Sequence, residues 1–313
     1  MRRRSLLPVP VLLASAALCG ARAQSPLVLL TAGPGSAFLP YGEGLATFLG
    51  RQGIAVAVRQ TAGSLQNLSM VEDDPNALGT AFLGSAWDAL QGTPAAGGRR
   101  HTRVRALFPM YETSFQAAAL RTSGITEFAH LAGRRVGCGP ARGPAEVFFR
   151  AAAEAAGLTA EVVSGDPAAQ AEALAAGQIE AFWQGAVVPI PSLMLALQRA
   201  DALVFGLPAP LVAAVTARLP YLSPTTLPPG TYPRQAASLE SFGAWNFVVA
   251  NAALPDAQAY DLTRRVLSAR DPAAEIHPSA AATRAGHAAA NRILPFHPGA
   301  ARVYQEMGIT LAI

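Results

Sequence analysis

The chain has 313 residues, 24 basic against 20 acidic side chains and a formal net charge of +4, and every one of its non-histidine cations is arginine. The absence of lysine excludes a Walker A loop, kinase-type phosphate lysines and a pyridoxal-phosphate Schiff base. Beyond residue 23 no apolar run is long enough to span a bilayer.

Arg2, Arg3 and Arg4 precede an apolar segment over residues 6–18, and Ala21-Arg22-Ala23 offers small residues where a signal peptidase reads. The sequence therefore predicts a cleavable leader over residues 1–23 and export through the general or the twin-arginine route. Removing it takes away four arginines and no acid, so the remainder is formally neutral, and its composition excludes a basic nucleic-acid binder. Cys19 follows Leu18, which is too large for a lipoprotein box; with the leader gone, Cys138 is the only thiol and no intramolecular disulfide can form. The remaining length suits two compact lobes.

Residues 27–31 form an apolar run of strand type, residues 33–37 a Gly-rich turn, and residues 39–49 carry apolar side chains at helical spacing. Such a turn presents backbone N–H groups at the positive end of a helix and attracts an anion, or simply turns the chain tightly. It lacks the third glycine of the dinucleotide fingerprint. A strand is predicted over residues 54–60, followed by a turn into a helix that Ser64 either caps or leaves free for a ligand. Residues 77–83 read as a third strand, ending at Gly84-Ser85. Residues 93–102 read as an exposed loop, and residues 104–108 and 115–120 as two apolar strands separated by Met110-Tyr111-Glu112-Thr113, the second crossing to another lobe.

From residue 122 the pattern restarts, with a short helix over 126–131, a strand leading to Gly139, and an Ala-rich helix over 145–156. Arg142 and Gly143 lie in the turn before that helix, where Arg142 either pairs with a carboxylate or stays solvated. Strands over 161–163, 179–183 and 203–205 alternate with helices over 167–176 and 192–200; Trp183 lines a pocket or belongs to the core. Residues 221–232 are too rich in Pro, Thr and Gly to hold regular structure for long, and residues 242–250 form a strand returning to the first lobe. Helices are expected over 255–269, 280–293 and 298–307. The repeated units imply an α/β fold of two lobes, each a mostly parallel sheet flanked by helices, with ligand loops at the strand carboxyl ends.

The five histidines show no zinc-ligand spacing, and His277 and His297 precede proline, where they suit helix starts. No G-x-S-x-G elbow occurs, and nothing gives Cys138 a histidine partner; it reads as a small buried hydrophobe. Neither a metal nor a cofactor is expected.

Several stretches resemble the TAXI-type solute receptors of TRAP (tripartite ATP-independent periplasmic) transporters. They are Gly35 to Pro40 with Gly42, Thr61 to Leu68, Gly133-Arg134-Arg135-Val136 with Gly139-Pro140, Gly177 to Phe182, the segment PPGTYP from Pro228, and LPFHPGAARVY from Leu294. The resemblance spans the chain after the leader. It implies a periplasmic, monomeric clamshell that captures a small carboxylate and delivers it to membrane permease subunits, with residues 24–119 and 238–313 as lobe 1 and 120–237 as lobe 2. The expected ligand contacts are Gly35, Ser36, Phe38, Ser64, Asn67, Ser85 and Tyr111 in the first lobe, and Arg142, Gly143, Trp183 and Gln184 in the second. Phe38 and Leu39 replace two tyrosines common in that family, and Arg142-Gly143-Pro144-Ala145 replaces a hydroxyl-rich segment, so the family's glutamate or 2-oxoglutarate does not carry over. The expected ligand has one carboxylate, paired by Arg142, and a more apolar body. The alternatives are an enzyme on the same scaffold using Cys138, or a receptor serving a sensor kinase.

Overall fold

The structure, a computed structural model, describes residues 26–34 and 36–312; the expected leader and Gly35 lie outside the described residues. Lobe 1 begins with three strand-helix units: β1 (Leu27–Leu30), α1 (Phe38–Arg51), β2 (Val56–Arg59), α2 (Ser64–Asp73), β3 (Ala77–Phe82) and α3 (Leu83–Gln91). β1 pairs in parallel with both β2 and β3, and β3 is buried along its whole length, as a strand covered on two faces requires. A 17-residue strand, β4 (Val104–Leu120), then leaves this lobe.

The second lobe repeats the pattern with β5 (Arg135–Gly137), α4 (Pro144–Ala156), β6 (Glu161–Val163), α5 (Pro167–Ala175), β7 (Ala181–Ala186), α6 (Pro191–Arg199), β8 (Ala202–Phe205), α7 (Ala209–Arg218) and β9 (Ser223–Leu227). β5 pairs in parallel with β6 and β7. The chain returns through β10 (Leu239–Asn251) and closes with α8 (Asp256–Leu267), α9 (Pro272–Glu275) and α10 (Pro298–Glu306).

The strands form one continuous sheet in the order β2-β1-β3-β10-β4-β7-β5-β6, with β8 on β4 and β9 on β10. β4 and β10 are antiparallel and run through both lobes. Residues 104–114 of β4 pair with β10, residues 114–119 pair with β7 and residues 117–120 with β8. The two lobes therefore share these strands as a hinge.

Four features differ from the sequence reading. The two apolar runs around Met110 are a single strand, because the polar residues between them are paired: Glu112 lies opposite Trp245 and Thr113 opposite Ala244. Residues 223–227 form β9 despite Pro224, since an edge strand tolerates a missing donor. Residues 209–218, which had no assignment, form α7, entered through Pro208 and Pro210. The helix expected over 280–293 is replaced by 3-10 turns at Pro278–Ala282 and Ala285–Ala290. Thr283 breaks it: its hydroxyl, buried in the core, donates to the Met110 carbonyl at 2.9 Å and meets the Tyr41 hydroxyl at 3.0 Å. His277 and His297 both cap as expected, their Nδ1 atoms accepting from the Ser279 and Gly299 amides.

Candidate ligand site

In lobe 1 the carboxyl ends of β1 and β3 are tied together by Asn67. Its Nδ2 donates to the Thr31 carbonyl at 2.7 Å and the Thr80 carbonyl at 2.9 Å, and its Oδ1 accepts from the Thr61 hydroxyl at 2.6 Å. Fully buried, Asn67 builds the site's frame, and its hydrogen-bonding capacity is committed to the protein. Ser64 is the first helical residue of α2, the cap position being Gly63 at φ +109°, so its hydroxyl does not cap; it accepts from the Phe82 amide at 3.0 Å. Ser36 accepts from the Phe38 amide at 3.2 Å at the start of α1. Ser85 lies half-buried in the first turn of α3.

The floor comes from the hinge. Between the pairs Glu112–Trp245 and Pro109–Phe247, β4 carries two residues, Met110 and Tyr111, opposite the single Asn246. This bulge re-aims a side chain, as bulges beside binding sites do. The Tyr111 ring lies 6.3 Å from that of Phe38 and 5.9 Å from that of Tyr41. Thr113 and Phe115 continue the same face of the strand, by the two-residue period, toward lobe 2. Glu112 faces the other way, half-buried, and accepts from the Thr225 hydroxyl at 3.0 Å. Burial pushes its carboxyl up to about 7, against the lowering by Thr225.

In lobe 2, Gly143 caps α4 with its backbone, and Arg142 occupies the left-handed region at φ 60°. The amide of Arg142 donates to Glu146 Oε2 at 2.9 Å, and Arg150 Nε donates to Glu146 Oε1 at 2.8 Å. These bonds, the Arg142 amide first, hold the Glu146 carboxyl below its ordinary range. An internal carboxylate therefore holds the Arg142 turn ahead of α4. The Arg142 side chain is exposed. Trp183 is fully buried beneath α4, its Nε1 donating to the Ala145 carbonyl at 3.0 Å, so it is a core residue. Gln184 is buried beside Gly139, and its Oε1 accepts from the Gly185 amide.

The lobes meet through aromatic rings that sequence reasoning missed. Phe82, at the end of β3, lies 5.9 Å from Phe148 of α4, and Phe148 lies 4.9 Å from the fully buried Phe115 of β4. Trp87 of α3 packs on Tyr221 at 6.4 Å, and Tyr221 also lies over Gly84, where an added Cβ would come within 3.1 Å of its ring. Rings spread over four elements and the turn before β9 leave no periodic signal in the sequence. Of the expected contacts, Ser36 and Phe38 lie at the start of α1, Ser64 at the start of α2, Ser85 in α3 and Tyr111 in the bulge of β4, and Arg142 and Gly143 lie just ahead of α4 in the second lobe. Asn67 and Trp183 belong to the scaffold.

Cys138 is fully buried, and burial pushes its thiol well above the ordinary value. Among the described residues no three histidine, cysteine or acidic side chains cluster as metal ligands, and no helix is long and apolar enough to cross a membrane.

Residues 29–308 match the NMT1-like family. The chain belongs to that family. Solved structures similar to this NMT1-like chain include a periplasmic transporter, at 13% identity and a TM-score of 0.53, covering 92% of this chain and 94% of that one. MatC from Rhodopseudomonas palustris with bound malate has 14% identity and a TM-score of 0.52, covering 82% and 88%. A TctC solute-binding protein from Polaromonas has 12% identity and a TM-score of 0.54, covering 78% and 83%. At these identities the likeness is one of fold. The NMT1-like chain has the two-lobed α/β fold of the periplasmic binding proteins.

Proposed function

We propose that this protein is a periplasmic solute receptor that captures a small organic acid between its lobes and delivers it to membrane permease subunits, in the manner of the TAXI-type TRAP receptors its sequence resembles. The observation that carries this reading is the hinge: two long antiparallel strands join two lobes whose strand carboxyl ends face one another across Tyr111 and Thr113. Bending at such strands opens and closes a cleft without disturbing either core. In this reading the lobes divide inside β4 and β10, a few residues from the boundaries expected at 119/120 and 237/238. The malate bound to MatC supports a carboxylate ligand. The protein acts as a monomer in the periplasm, released from a cleaved leader, and binds its solute without transforming it. The burial of Cys138 argues against covalent chemistry at that thiol.

A thermal-shift screen of the chain from Gln24 against mono-, di- and tricarboxylates tests the reading, because a ligand that binds only the folded state raises the melting temperature by mass action. The protein is first unfolded and refolded to release any co-purified ligand. A concentration-dependent rise with at least one class of acid is expected. No rise with any acid rejects the acid-receptor reading.

A further inference from the structure

The lobes are joined by more than the hinge strands. A single cluster of buried apolar residues runs from β3 and α3 of lobe 1, past Phe115 and Phe242 of the shared strands, to α4 and α7 of lobe 2. Beneath α5 and α6, by contrast, a second cluster holds only lobe 2 residues and the lobe 2 end of the shared strands. Two ring contacts carry the first cluster from lobe to lobe: Phe82 meets Phe148 at 5.9 Å, and Trp87 meets Tyr221 at 6.4 Å.

Gly84 and Trp87, three residues apart, share one face of α3, and the Tyr221 ring lies against both. A side chain at residue 84 would strike the rings of Phe82 and Tyr221, so glycine permits this approach. Tyr221 is presented by the turn between α7 and β9, which is fixed by the Leu222 amide donating to the Leu219 carbonyl at 2.9 Å and by the buried Leu222 side chain. Its ring also lies 6.1 Å from that of Phe148, so the two contacts form one unit. A bend of β4 and β10 that moves α3 away from α4 and the Tyr221 turn takes these rings apart and returns apolar surface to water, which is unfavourable. Every partner belongs to the chain itself, so the contact needs no solute.

Resting on the receptor reading above, in which a solute enters between the lobes, we infer that Tyr221 and Phe148 of lobe 2 clasp Trp87, Gly84 and Phe82 of lobe 1, hold the lobes shut, and must let go before a solute enters. The clasp makes the open form the minor one, and the apparent affinity for a solute falls with the fraction of molecules that are open.

Small-angle X-ray scattering of the refolded chain from Gln24, without ligand, tests this. Tyr221→Ala and Trp87→Ala, one in each lobe, should both raise the radius of gyration and the largest dimension. Both side chains are only half-buried, so each variant should keep the circular dichroism of the parent. The double variant should scatter like the single ones, because each already breaks the shared contact. Tyr221→Phe keeps the ring and should stay as compact as the parent. Alanine variants as compact as the parent overturn the clasp and leave the receptor reading standing. The acid screen does not read the spacing of the lobes, so its failure would reject the receptor reading without touching the scattering result.

Discussion

Asn246 Nδ2 donates to the Tyr111 carbonyl at 3.0 Å across the bulge in β4, and the same nitrogen lies 3.0 Å from the Thr113 hydroxyl oxygen that accepts from it. One side chain thereby answers the backbone group that the extra residue of β4 leaves out of the ladder. Replacing Asn246 with Ala should lower the unfolding free energy by about 2–3 kcal/mol, since a buried carbonyl loses its donor. Urea unfolding measures it, and a loss below about 0.5 kcal/mol would show that the bulge stands without this bond.

The carboxyl of Glu112 makes stability pH-dependent with a definite sign. Its value is raised from 4.5 to about 7 in the folded state, so folding favours the protonated form. Its contribution is constant below pH 4.5, where both states are protonated, and declines as the pH rises from 4.5 to about 7, where only the unfolded state ionises. Glu112→Gln should therefore be more stable than the parent at pH 8, with the difference vanishing near pH 4. Melting temperatures of both proteins across that range check it; a parent more stable than the variant at pH 8 refutes it.

Gly84 sits under the ring of Tyr221 from the opposite lobe, and an added Cβ would lie 2.6 Å from Phe82 Cε1 and 3.1 Å from Tyr221 Cε2. Gly84→Leu should prop the lobes apart, increasing the radius of gyration seen by small-angle X-ray scattering without ligand. A variant as compact as the parent, with the same fold, would mean that closure does not depend on this contact.

Cys138 is inaccessible, and burial keeps its thiol protonated. In the chain from Gln24, iodoacetamide at pH 8 should leave the folded protein unmodified and add one carbamidomethyl group after unfolding, read by intact mass. Rapid labelling of the folded state would reopen a chemical role for this thiol.

Much of the architecture was legible in the sequence. The runs that became β1, β3 and β6 and the periodic stretches that became α1, α4, α5 and α10 stood within a residue or two of their bounds, because each buries a face set by its own pattern. That of α8 stood equally close, and that of β10 began three residues late. The helix expected over 280–293 failed for the opposite reason: Ala-rich residues favour helix locally, but Thr283 is held by Met110 and Tyr41, which lie far away in the chain. At the candidate site, the roles of Asn67, which ties β1 to β3, and of Trp183, buried beneath α4, could not be read from residue type, because each depends on backbone groups brought in from elsewhere in the chain.

The sequence by itself determined two lobes built from strand-helix units, the lack of any lysine chemistry, and a single thiol after the leader, since composition and short-range periodicity carry that information. Only the tertiary structure decided that β4 runs unbroken through both lobes, that Asn246 braces the bulge at Tyr111, and that Glu146 holds the Arg142 turn ahead of α4. Each depends on side chains brought together from distant parts of the chain, and a hydrogen bond or a ring contact forms only when the fold has set its distance.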